Sequence, residues 1–187
     1  MYYNLSYLND ADGIRLYNKI KETHVYNNVS YDNGSEGISV WGDGTGGSIE
    51  NNLIKNNIAT ENDGCELRCG YGGENDGTNG SGNVYTYNCF GAESSNFIEW
   101  GDSNYDSTYD DWETSYGGTT HSVEAAPLMT NPGNGDFTLQ VGSPCRERGT
   151  NVALTADYDG SYVPQGLVDI GAYEYASPVA LFFGINF

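Results

Sequence analysis

Basic residues are scarce in this chain. Its 187 residues include 7 Lys and Arg against 26 Asp and Glu, so the formal net charge at pH 7 is −19. Nucleic acids and anionic membranes are bound through a positive surface, which this composition does not provide. The scarcity of cations also disfavours an anionic polysaccharide as a ligand, unless bound metal ions reverse the local field.

Long apolar runs are also lacking. No stretch reaches the roughly 18 apolar residues that cross a bilayer as a helix, so we expect no membrane span. Residues 1–4 (MYYN) have neither the basic region nor the apolar stretch of a signal peptide. They fall inside a repeated phrase, and we therefore expect the chain to be the carboxyl-terminal part of a longer protein.

Histidine and cysteine are few. The two histidines, His24 and His121, lie in unrelated contexts and predict no catalytic pair. Cys65 and Cys69 are four residues apart on one predicted strand, hence about 13 Å apart and too distant for a disulfide. With no further ligand nearby, their spacing gives little support for zinc. The sequence predicts buried free thiols, and a bridge that involves Cys145 is the alternative.

A repeated phrase is the most informative feature that is present. Asn4, Asn28, Asn57 and Asn88 each open a short segment of alternating apolar and polar residues, at steps of 24, 29 and 31 residues. Alternation indicates strands, and the Asn, Asp and Gly residues between the segments indicate tight corners. A period of about 20 to 50 residues is typical of solenoids, in which each repeat buries its apolar side against its neighbours.

These patterns predict an all-β fold, a right-handed parallel β-helix of about four coils with a C-terminal capping segment. The coils are expected at residues 1–101, a final coil and capping loops at 102–175, and an apolar tail at 176–187. A β-sandwich is the alternative, but it gives no reason for a phrase to return in register.

The β-helix also predicts which residues stack. The four asparagines are expected to form a hydrogen-bonded ladder along the axis. Two apolar columns are predicted, one of Val29, Ile58 and Cys89 and one of Ile14, Ile38 and Cys65.

Three later segments carry a resemblance to a known group of proteins. They are residues 136–145 (DFTLQVGSPC), 157–160 (DYDG) and 168–175 (VDIGAYEY). They resemble the terminal motifs of secreted bacterial right-handed parallel β-helix proteins, the group that includes pectate-lyase-like and other polysaccharide-active members. The resemblance implies this fold, a secreted location and a polysaccharide partner. Residues 145–148 (CRER) depart from the group's pattern, which has Ala and Asp there. The acids of these motifs are interpreted as structural.

One predicted outward face combines aromatic and charged side chains, the combination that suits sugar rings and their hydroxyls. Alternation predicts two outward columns, one of Arg15, Ser39 and Glu66 and one of Tyr17, Trp41 and Arg68. Tyr17 and Trp41 are the predicted substrate-binding residues. The predicted catalytic residues are Arg15, Asp63, Glu66 and Arg68. The alternative is that Tyr17 and Trp41 only cover the sheet.

Acidic residues precede the corner glycines of successive copies, at Asp12, Glu36 and Asp63. Carboxylates stacked about 4.8 Å apart repel unless they are neutralised, and Ca²⁺ takes several such oxygens. The resemblance to calcium-dependent pectate lyases implies that these acids hold the ion while a base, for which Arg15, Lys55 and Arg68 are available, removes a proton. Hydrolysis by Asp63 and Glu66 as an acid/base pair is a second interpretation, and simple turn formation is a third.

The first functional hypothesis is therefore a secreted carbohydrate-active β-helix domain, of the polysaccharide lyase or glycoside hydrolase type. The second is a non-catalytic surface, adhesion or self-assembling module. In that case the open edge of the first coil or the apolar tail joins copies of the chain.

Overall fold

The computed structural model describes residues 1–42, 49–71, 80–101, 105–164 and 167–175. The predicted apolar tail lies outside these residues. The elements are, in chain order, β1 (Leu5–Tyr7), β2 (Ile14–Tyr17), β3 (Ile20–Lys21), β4 (His24–Tyr26), β5 (Val29–Tyr31), β6 (Ile38–Gly42), β7 (Ile49–Glu50), β8 (Leu53–Lys55), β9 (Ile58–Thr60), β10 (Leu67–Tyr71), β11 (Val84–Thr86), β12 (Ile98–Trp100), β13 (Tyr105–Asp106), α1 (Tyr109–Tyr116), a 3₁₀ turn (Pro132–Asn134) between β14 (Met129–Asn131) and β15 (Asp136–Leu139).

The protein is mainly β, with short strands in small, separate and mostly parallel sheets. The first sheet has the order β1-β5-β9, the second β2-β6-β10-β12, and the third β4-β8-β11. Strand β13 joins the second sheet antiparallel to β12. The pair β3-β7 is parallel, and β14-β15 is an antiparallel hairpin. No helix in the described parts of the chain is long and apolar enough to cross a membrane.

The register of the parallel strands follows the asparagine spacing. Val29 pairs with Ile58, which in turn pairs with Cys89, so the first predicted column is confirmed. In the second sheet Ile14 pairs with Ile38.

The second predicted column is wrong at its third member, because Ile38 pairs with Leu67 and not with Cys65. In every copy the core residue follows its asparagine by ten positions, as Leu67 follows Asn57. The prediction took the residue after Gly64 as the equivalent of Ile38, and this displaces the third copy by two residues. Cys65 lies just before β10, where its carbonyl accepts a hydrogen bond from the Gly37 N–H at 2.8 Å.

The predicted asparagine ladder is confirmed. The side chain of Asn4 donates to Asn28 at 2.8 Å, Asn28 donates to Asn57 at 2.8 Å, and Asn57 donates to Asn88 at 3.0 Å. A second ladder, which the sequence analysis missed, runs in parallel five residues later. It consists of Asn9, Asn33 and Asn62, joined by side-chain bonds of 2.7 and 2.8 Å.

The interior divides into two apolar clusters. The first draws on one face of all three parallel sheets and on α1, with Ile38, Ile54 and Trp112 among its fully buried members. The second lies on the other face of the first sheet, where Val29 and Ile58 meet residues 123–172. All four cysteines are buried and free, as predicted.

The C-terminal segment packs along the side of the first sheet. The Phe137 ring contacts the rings of Tyr7 and Tyr31 at centroid distances of 5.0 and 5.8 Å. Further along, the Asn27 side chain donates to the Gly171 carbonyl at 3.0 Å. The sequence predicts a cap over the end of the core, whereas these contacts cover the apolar outer face of the first sheet.

Candidate functional site

The outward face of the second sheet carries the predicted aromatic and charged residues. Its pairing places Arg15 beside Ser39, Ser39 beside Arg68 and Arg68 beside Glu99. The next column contains Tyr17, Trp41 and Gly70. The predicted columns are therefore wrong in the third copy, where Arg68 takes the place given to Glu66. The cause is the two-residue shift that also misplaced Cys65.

Arg68 lies at the centre of this face. Its Nη1 is 2.8 Å from Glu36 Oε1, and its Nε is 3.0 Å from Glu99 Oε2. Its guanidinium also lies over the Trp41 ring, 3.7 Å from the centroid. Two carboxylates and an aromatic face fix this side chain in one position. The same stacking covers one face of the Trp41 indole.

Arg15 and Tyr17 form the more open part of the face. The Arg15 guanidinium carbon is 4.9 Å from the centroid of the Tyr17 ring, and its Nε is 3.5 Å from Asp12 Oδ2. The Arg15 side chain is 56% exposed and Tyr17 is 51% exposed. Tyr17 is therefore the aromatic residue of this face that solvent reaches most freely.

Asp12 and Glu36 hydrogen-bond each other through their carboxyl groups. Such a bond requires one proton, because two carboxylates only accept. Burial and the contact with Glu36 raise the pKa of Asp12. Burial also acts to raise the pKa of Glu36, but hydrogen bonds from Asp12 and Ser35 outweigh it and lower that pKa to about 2. Asp12 is therefore the first of the two to take up a proton as the pH falls, and Glu36 is the ionised partner of Arg68.

The other two predicted catalytic residues lie in the corner between β9 and β10. The Asn62 side chain donates to Glu66 Oε2 at 2.5 Å, and burial raises the pKa of Glu66 to about 7. The Asp63 backbone N–H donates to the Asn33 carbonyl at 2.9 Å. Within the described residues, no hydrogen bond or ion pair joins Asp63 to Glu66 or either acid to Arg68. Glu66 instead ends the second asparagine ladder.

The three predicted metal ligands do not form one donor set. The described ranges contain no group of three or more His, Cys, Asp or Glu side chains placed to hold a metal ion. Asp12 and Glu36 are in contact, but their oxygens bond Arg15, Arg68, Ser35 and each other. Calcium takes about six to eight oxygen ligands, and its binding at these residues stays a prediction.

Two functional candidates of this face were missed by sequence reasoning. Glu99 is 4% exposed and pairs with Arg68. It follows Arg68 by 31 residues, the step that separates Asn57 from Asn88, so the repeat itself contains the signal. Ser35 donates to Glu36 Oε2 at 2.5 Å. No sequence pattern distinguishes this serine from an ordinary corner residue.

Two clefts among the described residues lie away from the predicted residues. One of about 610 Å³ is lined by residues 122–125, Ser143, Pro144, Arg146 and Arg148. The other, of about 320 Å³, is lined by Gly80, Gly82, Asn83, Tyr85, Trp100, Ser115 and Tyr116.

Comparisons with protein-family models, with curated proteins and with solved structures found no match. The interpretation of the outward face therefore depends on its own geometry.

Proposed function

We propose that the chain is a parallel β-helix domain that binds a neutral glycan on the outward face of its second sheet. The observation that carries this proposal is the position of Tyr17. Its exposed ring adjoins Trp41 on the next strand, with a guanidinium beside each ring.

The order in which the chain visits the sheets supports the β-helix. Strands β4, β5 and β6 lie in the third, first and second sheets, and β8, β9 and β10 return to those sheets in the same order. The next passage uses β11, Cys89 and β12. Each passage adds one parallel strand to each sheet, which is the connectivity of a solenoid. Crossovers between parallel strands are right-handed in nearly all proteins, so we propose that hand.

The chemistry of the face suits a sugar. The C–H faces of a sugar ring pack on aromatic rings, and its hydroxyl groups bond to planar polar groups at the edge. The exposed Arg15 and the partly exposed Arg68 guanidiniums are donors, and Glu36 is the more accessible of the two carboxylate acceptors. These groups flank Tyr17 and Trp41 on adjoining strands.

The charge of the face favours a neutral glycan. If Asp12 is protonated, two carboxylates balance two guanidiniums, and an ionised Asp12 adds a negative charge. In neither state does the face carry excess positive charge, while the whole chain carries −19. An acidic polysaccharide would therefore meet net repulsion.

Bond cleavage has weaker support than binding. Lyase chemistry needs a base, but Arg68 is held as a cation between Glu36 and Glu99. Hydrolysis needs two carboxyl groups that are free to act on the substrate. Of the predicted pair Asp63 and Glu66, the Glu66 carboxyl group accepts hydrogen bonds from the Asn62 side chain at 2.5 Å and from its backbone N–H at 3.3 Å. We therefore propose binding without cleavage, in the secreted location implied by the terminal motifs.

Retention on immobilised polysaccharides tests the glycan proposal. We expect retention on one or more neutral polymers, and a loss of about tenfold in affinity for Tyr17→Ala and for Trp41→Ala. Tyr162→Ala is the matched control, since Tyr162 is an exposed tyrosine of the C-terminal segment. Equal retention of all three variants contradicts a role for this face.

The same panel tests catalysis and calcium. Each polymer is incubated with the protein, with and without Ca²⁺, while reducing ends and unsaturated uronate absorbance are followed. Release of either product overturns the proposal of binding without cleavage. Retention that appears only with Ca²⁺ on an acidic polymer overturns the proposal of a neutral ligand.

Self-association is the second candidate, and the edge of the sheets favours it. Strands β1 and β2 each pair with a single neighbour among the described strands, which leaves one edge of each without a described partner. Such edges pair readily with other chains. Sedimentation across a concentration series distinguishes this candidate: a mass independent of concentration, at the value of one chain, contradicts it.

A further inference from the structure

Two cysteines from distant parts of the chain meet in the second apolar cluster. Cys89 follows β11 and Cys145 follows β15, and both side chains are fully buried. The Cys89 thiol donates to the Ala125 carbonyl at 3.3 Å, and its proximity is the leading cause that raises the pKa of Cys145 in the same buried cluster. The pair joins the first sheet to the segment that covers it.

Backbone hydrogen bonds hold both residues in place. Cys89 pairs with Ile58 on one side and with Val123 on the other. The Cys145 N–H donates to Ser143 Oγ at 3.2 Å, and its carbonyl accepts from the Ile170 N–H at 2.9 Å. With both backbones fixed, the two sulfur atoms remain neighbours.

The remaining cysteines have different surroundings. The Cys69 thiol contacts the Tyr85 hydroxyl at 2.9 Å. Cys65 lies near Glu36 and Glu99, whose charges follow burial among the causes that raise its pKa. Among the described contacts, neither thiol meets another sulfur, and Cys65 and Cys69 therefore serve as internal controls.

We propose that Cys89 and Cys145 form a disulfide that fastens the C-terminal segment to the first sheet. The oxidant is a small disulfide such as oxidised glutathione. One cysteine thiolate attacks it and releases one thiol, which leaves a mixed disulfide. The second thiolate attacks the protein sulfur of that intermediate and releases the second thiol. The pair loses two electrons and two protons, and the oxidant is reduced to two thiols.

The bond forms during folding, before the segment packs. Thiolates are the reacting species, and in the folded protein contact with Cys89 and burial raise the pKa of Cys145. The fully buried pair is also closed to an oxidant in solution. Oxidation of the folded, reduced protein is therefore slow.

Oxidative refolding tests the proposal. The reduced protein is unfolded and refolded in a mixture of reduced and oxidised glutathione, and the product is then alkylated in denaturant so that every free thiol reacts. We expect two alkylated thiols in the oxidised product and four in the reduced one, with a Cys89–Cys145 linked peptide in a non-reducing digest. The oxidised form should melt roughly 10 °C higher, because the bond closes a long loop.

Cysteine substitutions identify which two residues form the disulfide. Cys65→Ala/Cys69→Ala should still lose both remaining thiols to oxidation, whereas Cys89→Ala and Cys145→Ala should keep three. Because a core substitution can prevent folding, the linked peptide of the wild-type chain and the Cys65→Ala/Cys69→Ala variant decide the result. Four free thiols in oxidatively refolded native protein, or a bridge to Cys65 or Cys69, overturns the proposal. Equal oxidation rates of folded and refolding protein overturn the order of events.

Discussion

Asn57 Oδ1 accepts two hydrogen bonds from Asn28, one from the side-chain Nδ2 at 2.8 Å and one from the backbone N–H at 3.1 Å. Asn57 repeats this double contact with Asn88, at 3.0 and 2.9 Å. One side-chain oxygen thus satisfies two buried donors of the neighbouring repeat. The ladder fixes the register because a shifted strand would leave these donors unpaired.

Asn57→Ala is expected to lower the free energy of unfolding by about 3 kcal/mol, because two donors of buried Asn28 lose their acceptor. The Val25 carbonyl also loses its bond from Asn57 Nδ2. Urea denaturation measures the change. Asn4→Ala, at the exposed end of the same ladder, is the matched control and should cost less than about 1 kcal/mol. Equal costs at both positions would contradict the cooperative ladder.

Arg68→Ala is expected to destabilise the protein by about 3 kcal/mol, because it leaves the buried Glu99 carboxylate without its cation. Lysine should restore only part of the loss, since an ammonium does not stack on Trp41 as a planar guanidinium does. Chemical denaturation at neutral pH measures both variants. Adding Glu99→Gln to Arg68→Ala should recover part of the stability.

Arg15→Ala provides the comparison for Arg68. Arg15 is largely exposed and its contact with Asp12 is 3.5 Å, so the expected change is within about 0.5 kcal/mol. A cost at Arg15 as large as that at Arg68 would contradict the assignment of Arg68 as the centre of this face.

Much of the parallel pairing was predictable from the asparagines alone. Ile14, Ile38, Leu67 and Ile98 each follow a ladder asparagine by ten residues, and they pair across the second sheet. The placement of Cys65 failed because Asp-Gly pairs mark flexible corners, whose position within a repeat varies. Asparagines that bond along the ladder tolerate no such variation.

The candidate site was less predictable than the fold. Alternation indicates that Arg68 points outward, but it does not reveal that the guanidinium stacks on Trp41 or pairs with Glu99. Those contacts depend on rotamers and on the neighbouring repeat. Glu66 was assigned to the face by the same alternation, yet it lies before β10 begins, where the period of two does not apply.

Stability is expected to fall as pH rises through the range in which Glu66 ionises. Burial raises its pKa from 4.5 to about 7, so between these values the folded protein keeps a proton that the unfolded chain has lost. The native state is therefore favoured below this window and loses that advantage above it. Glu66→Gln should stabilise the protein at pH 8 by about 2 kcal/mol and have little effect at pH 4.5.

Glu174→Gln is the parallel test in the C-terminal segment. Burial, followed by the charges of Asp169 and Asp157, raises the pKa of Glu174 to about 8. Its effect should therefore extend to a higher pH than that of Glu66→Gln. Thermal melts from pH 4 to 9 compare the two variants, and identical pH profiles for wild type and both variants would exclude these acids as the source of the dependence.

Gly171→Ala should detach the C-terminal segment from the first sheet, with a cost of about 3 kcal/mol. Gly171 has a φ of +108°, and an added Cβ would lie 2.7 Å from Ile58 Cδ1. Adding Ile58→Val removes that methyl group and should relieve the clash but not the backbone strain, so recovery should be partial. Gly142→Ala, where nothing lies within 4 Å, is the control. Denaturation midpoints and protease cleavage within residues 123–175 measure the effect, and equal cleavage of both single variants would contradict close packing at Gly171.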